Sequence, residues 1–83
     1  MPPSLQGFAY ERAALDYLRL IPQKKIRKQI VKKIETLARN PLPPTSKLVQ
    51  GMVDGEDRVH RIRSGDYRVL YVVRDEKIVV LDI

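Results

Sequence analysis

Apolar positions follow two different periods along this chain, and the switches between them mark its elements. SLQGFAY (4–10) reads as a first strand, weakened by Gly7. In ERAALDYLRLI (11–21) the period becomes helical. Ala14, Leu15, Leu18 and Ile21 fall on one stripe, with charged residues opposite. Pro22 suits the first turn of a second helix. Ile26, Ile30, Ile34 and Leu37 then form a second stripe, which Lys25, Lys28 and Lys32 avoid. Asn40-Pro41 should end that helix, because a residue before proline is pushed out of the α region.

NPLPPTSKLVQG (40–51) predicts an extended connection with a short edge strand at Lys47–Gln50. GMVDGED (51–57) predicts a turn. Three strands should follow: RVHRIR (58–63), DYRVLYVV (66–73) and KIVVLDI (77–83), joined by SG and RDE at hairpin lengths. The middle one is apolar after Arg68, as a central strand would be. No repeat, low-complexity tract or linker interrupts the order, so residues 1–83 read as one domain. The expected fold is α+β: an N-terminal strand, a two-helix hairpin and a three-stranded antiparallel meander, with the helices on one sheet face.

The third strand and its neighbour carry the candidate chemistry. A two-residue turn at Ser64-Gly65 would pair Arg63 with Asp66, Ile62 with Tyr67 and Arg61 with Arg68. Paired residues share a face. One face would then hold Arg61, Arg63, Asp66 and Arg68, and the other His60, Ile62, Tyr67 and Val69. Asp66 could neutralise Arg63, leaving Arg61 and Arg68 as a like-charge pair that a phosphate would relieve. A three-residue loop would instead pair Arg61 with Val69. His60, the single histidine, shares parity with Ile62 and reads as a tucked-in structural residue. Tyr67 and Tyr71 read as core, and Tyr10 and Tyr17 as packing residues of the first helix.

Charge sharpens this picture. The chain carries 16 Lys/Arg against 10 Asp/Glu, a net +6. The excess lies in the first half, above all in PQKKIRKQIVKK (22–33); residues 42–83 are neutral. A basic helix face points to nucleic acid or an acidic partner. With no cysteine there is neither a disulfide framework nor a thiolate metal site. No apolar run is long enough to span a membrane, and MPPSLQGFAY does not resemble a signal peptide. The chain is read as cytoplasmic. It shows no phosphate-binding glycine loop and no metal-ligand cluster, so any chemistry is expected to be cofactor-free, metal-free and based on arginine.

KLVQGMVDGEDRVHRIRSGDYRVLYVVRDEKIVVLDI, following a helical hairpin, resembles the RelE/ParE superfamily of bacterial and archaeal toxins. The motif positions are Lys47-Leu48, Gly51, Arg61-Ile62-Arg63, Gly65, Tyr67-Arg68-Val69 and Tyr71. In its RelE branch the resemblance implies a type II toxin that enters the ribosomal A site and cuts messenger RNA. The ribose 2′-hydroxyl would attack the adjacent phosphate without a metal. The implied partners are a cognate antitoxin, the ribosome and mRNA, with no membrane and no small-molecule cofactor.

By resemblance Arg68 binds the scissile phosphate, and Arg61 faces the same phosphate or orients the 2′-hydroxyl. Arg63, Lys47 and the helix lysines Lys25, Lys28 and Lys32 would hold RNA. Val59 stands where some members carry another lysine. The family's G-x-R-x-x-x-Y tail, with its arginine and tyrosine, would begin just beyond Ile83. Arginine remains protonated at neutral pH and cannot act as a base. The residues so identified therefore offer charge without proton transfer, and weakened cleavage is expected. Two alternatives share the fold: a ParE-like inhibitor of DNA gyrase, and a non-catalytic basic module that binds RNA or an antitoxin.

Overall fold

The structure, a computed structural model, describes residues 7–83. In chain order it comprises β1 (Gly7–Tyr10), α1 (Arg12–Leu20), α2 (Lys24–Thr36), β2 (Lys47–Asp54), β3 (Asp57–Ser64), β4 (Tyr67–Arg74) and β5 (Lys77–Asp82). Positions 4–6 of the expected first strand lie outside the described residues. The strands form one sheet in the order β1-β5-β4-β3-β2. β1 runs parallel to β5 and the other pairs are antiparallel. The apolar β4 is the middle strand.

Both helices bury their predicted stripes against one sheet face. Ala14, Leu18, Ile21, Ile30, Ile34 and Leu37 meet Ile62, Val69, Tyr71, Ile78 and Val80 in one cluster. Each large aliphatic side chain buried there contributes about 1.5–3 kcal/mol. Tyr10 belongs to β1 rather than to the first helix. Tyr17 is 46% exposed, its ring lying edge-on to Tyr67 at 6.5 Å. Pro22 precedes the second helix instead of entering it, and Gln23 occupies the N-cap. Arg27 donates to the carbonyls of Ile21 and Pro22, so this cation ties α2 to the end of α1.

The second helix stops at Thr36, before the Asn40-Pro41 signal. The amides of Leu37, Ala38 and Arg39 each bond three residues back, at 2.9, 3.2 and 3.2 Å. This tightened last turn still delivers Leu37 to the core. The proline-rich connection is then pinned from beneath. The buried Tyr71 hydroxyl donates to the Pro41 carbonyl at 2.7 Å, and the Ser46 hydroxyl donates to that of Pro43 at 2.7 Å.

β2 is longer than predicted and adds a fourth strand to the meander. Its pairing with β3 slips between Leu48 and Val53. Gly51, at φ +78°, supplies the left-handed residue that this irregularity accommodates. Residues 51–54 are therefore strand, and the turn is only Gly55-Glu56. At the far end of the sheet Arg74 binds Asp57 and Asp54, each at 2.7 Å, latching the β2–β3 hairpin to β4. Among the described residues no helix is long and apolar enough to cross a membrane.

Candidate functional site

Helices cover one sheet face, and the other face carries the cations. The β3–β4 register differs from the expected one. Ser64 pairs with Tyr67, Arg63 with Arg68, Ile62 with Val69 and Arg61 with Leu70. The two-residue turn is thus Gly65-Asp66, with glycine at the first central position at φ +59°, where type II′ hairpins take it. The predicted division of faces survives, because the shift preserves parity. The partners change: Arg63 and Arg68 form the like-charge pair, and Asp66 sits in the turn instead of opposite Arg63.

Lys47 pairs with Arg61 across β2–β3. Successive rows of the open face therefore read Arg63–Arg68 and then Lys47–Arg61–Leu70. Arg63, Arg68 and Lys47 are exposed and Arg61 is half-buried. Among the described residues none of these four forms a salt bridge; the paired arginines are Arg12 and Arg74. Arg74 differs in kind. Hydrogen bonds to Asp57, then Asp54, hold it still more firmly in its charged form. Its charge is neutralised on the spot, while the charges of the strip remain open.

The basic helix face joins this strip through Lys33, which sequence reasoning did not single out. A groove of about 370 Å³ is lined by Lys33, Thr45, Lys47, Arg61 and Arg63. A second runs between α2 and the β3–β4 turn, past Gln29, Lys32, Lys33, Thr36, Ser64 and Gly65. Lys33 borders both. Ladder pairing of β2 with β3 begins at Lys47↔Arg61, so residues 62–64 leave an open sheet edge beside the helix. Lys25, Lys28 and Lys32 continue the basic surface along α2, all exposed and lining one shallow depression.

His60 lies on the helix side, half-buried, with its ring 5.8 Å from that of Tyr71. Burial raises the Tyr71 phenol, an effect the neighbouring Ser46 hydroxyl partly counters. Burial, then the charge of Glu35, raises that of Tyr10. These phenols belong to the covered face. Among the described residues no group of three or more His, Asp or Glu side chains could hold a metal ion.

One carboxylate on the open face escaped sequence reasoning. Simple alternation from the buried Val80 would turn Asp82 toward the helices. Opposite Leu70 and Tyr71, β5 carries one extra residue, Leu81, so Tyr71 faces Val80 but Leu70 faces Asp82. Asp82 therefore shares the face of Leu70 and Arg61, while Ile83 packs against the core.

A helical hairpin thus backs one face of the sheet, and Lys47, Arg61, Arg63 and Arg68 lie on the other. A family model described as the ParE toxin of type II toxin-antitoxin system, parDE, matches residues 9–83. The chain belongs to this family, within the RelE/ParE toxin superfamily. Among solved structures it is similar to the archaeal RelE–RelB complex from Pyrococcus horikoshii OT3, with a TM-score of 0.74 and 25% identity over 90% of this chain and 88% of that one. It is also similar to a mutant of the E. coli toxin RelE in the free state, with a TM-score of 0.64 and 28% identity over 94% of this chain and 77% of that one. No curated protein matches it.

Proposed function

We propose that this toxin is a ribosome-dependent endoribonuclease that cuts messenger RNA in the A site and so stops translation. The observation that carries the reading is the strip Lys47, Arg61, Arg63 and Arg68, four like charges on adjacent strands with no salt-bridge partner among the described residues. Such a cluster destabilises the fold by itself and becomes favourable when phosphate oxygens bridge its guanidinium groups. Arg68 and Arg61 bind the scissile phosphate and stabilise the charge that develops on it. Arg63 and Lys47 hold the flanking backbone, and Lys25, Lys28 and Lys32 supply sequence-independent affinity for ribosomal RNA.

The partner is a cognate antitoxin, as RelB is RelE's partner in the archaeal complex. A groove between α1 and α2 suits an amphipathic acidic segment of it. Leu18 and Val31 form the floor, and Arg19, Lys24, Arg27 and Lys28 outnumber the one carboxylate, Glu35, around the rim.

The ParE name of the family model favours a second reading, inhibition of DNA gyrase. Two assays on the same purified chain separate them. Primer extension on programmed ribosomes should show cleavage in the A site, and gyrase supercoiling should proceed undisturbed. Loss of supercoiling with intact messenger would reverse the assignment.

A further inference from the structure

The arginine strip offers charge but no group that can accept a proton at neutral pH, and Asp82 stands where that group is needed. The extra residue of β5 at Leu81 places it in the row Lys47–Arg61–Leu70–Asp82. Neighbouring strands lie about 4.8 Å apart, so Arg61 on β3 and Asp82 on β5 stand about 10 Å apart at the backbone, across Leu70. Arg61 and Asp82 thus share one face of the sheet, on either side of Leu70.

The other carboxylates of the second half are used or remote. Asp54 and Asp57 hold Arg74. Asp75 and Glu76 turn the chain at the opposite end of β4, Glu56 lies in the turn between β2 and β3, and Asp66 lies in the Gly65-Asp66 turn. Asp82 is exposed and forms no salt bridge among the described residues. One carboxylate oxygen accepts the Ile83 amide at 2.9 Å, which orients the group and leaves the second oxygen free.

We infer that Asp82 is the proton acceptor of the cleavage reaction, acting on the 2′-hydroxyl of a nucleotide whose 3′-phosphate rests on Arg61 and Arg68. This rests on the ribonuclease reading above. In the step, Asp82 takes the 2′-hydroxyl proton as the 2′-oxygen bonds to phosphorus. The bond from phosphorus to the 5′-oxygen breaks, and that oxygen takes a proton from water. The products are a 2′,3′-cyclic phosphate and a 5′-hydroxyl, and Asp82 returns its proton to solvent.

The test is single-turnover cleavage on programmed ribosomes by the wild-type chain, Asp82→Asn and Asp66→Asn. Binding of each to ribosomes carrying a 2′-deoxy messenger is measured in parallel. Asp82→Asn should cleave about 10² to 10⁴ times more slowly, with unchanged binding and an unchanged melting temperature. Asp66→Asn should match the wild type. Cleavage by Asp82→Asn at the wild-type rate overturns the assignment and leaves the ribonuclease reading standing. A rate loss matched by an equal loss of binding overturns it too, because Asp82 would then only shape the surface. A wild-type chain that leaves the messenger intact refutes the ribonuclease reading, and the assignment falls with it.

Discussion

Replacing Arg63 with Gln should make the protein more stable and a poorer ligand for RNA, two effects of opposite sign from one lost charge. Arg63 faces Arg68 directly across β3–β4, and neither has a salt-bridge partner among the described residues. Like charges directly opposite in a sheet cost about 0.2–1 kcal/mol. Both groups are exposed, and water screens exposed charges, so the lower half of that range applies, about 0.2–0.5 kcal/mol. Glutamine keeps most of the aliphatic stem, so little packing is lost. At about 4–8 °C per kcal/mol for a domain of this size, the melting temperature should rise by about 1–4 °C. The gain should vanish in 1 M salt, where the screening length falls to about 3 Å. Binding to single-stranded RNA should weaken, and its slope of log affinity against log salt should become shallower by about 0.7. Calorimetry at low and high salt and a fluorescence binding titration read both halves. A lower melting temperature at low salt, or a gain that salt does not erase, would refute the repulsion argument.

Other outcomes follow from the same structure. Asp75 and Glu76 both adopt left-handed backbone, at φ +52° and +60°, and glutamate tolerates this poorly. Glu76→Gly should therefore stabilise by about 1 kcal/mol and raise the melting temperature measurably. The phenols of the buried Tyr71 and the half-buried Tyr10 are raised above their ordinary value of 10.0. Their contribution is complete below pH 10 and declines as pH climbs from there through the folded values, because the unfolded chain ionises first. Alkaline denaturation should show that decline, and Tyr71→Phe should make it shallower. Replacing Lys25, Lys28 and Lys32 together by Gln should weaken ribosome binding and flatten its salt dependence. Unchanged binding across a salt titration would mean those lysines are only solvated.

Much of the fold was legible because burial leaves periodic traces. The stripes from Ala14 to Ile21 and from Ile26 to Leu37 match the buried helix faces, and the apolar run after Arg68 matches the central strand. The sorting of Arg61, Arg63 and Arg68 from Ile62 and Val69 also held, since it depends only on parity. Pairing was harder to read. Ser64-Gly65 and Gly65-Asp66 both place glycine in a two-residue turn, and the second, with glycine first, spares its other residue a positive φ. Gly51 resembles a turn glycine, yet it serves an irregularity within β2. The extra residue at Leu81 leaves no local trace in the apolar β5, and it alone turns Asp82 to the open face. Lys33 lay within the basic run 22–33, but its link to the strand arginines depends on how the helix crosses the open edge of β3.

The most direct measurement is the rate of A-site cleavage by Arg68→Ala beside the wild-type chain, on the same programmed ribosomes. Arg68 is exposed and makes no salt bridge among the described residues, so its loss should leave the fold intact and the melting temperature equal or slightly higher. Removing a charge aimed at the reacting phosphate should slow cleavage by about 10² to 10³. A well-folded Arg68→Ala protein that cuts messenger as fast as the wild type would contradict the claim that this strip holds the scissile phosphate.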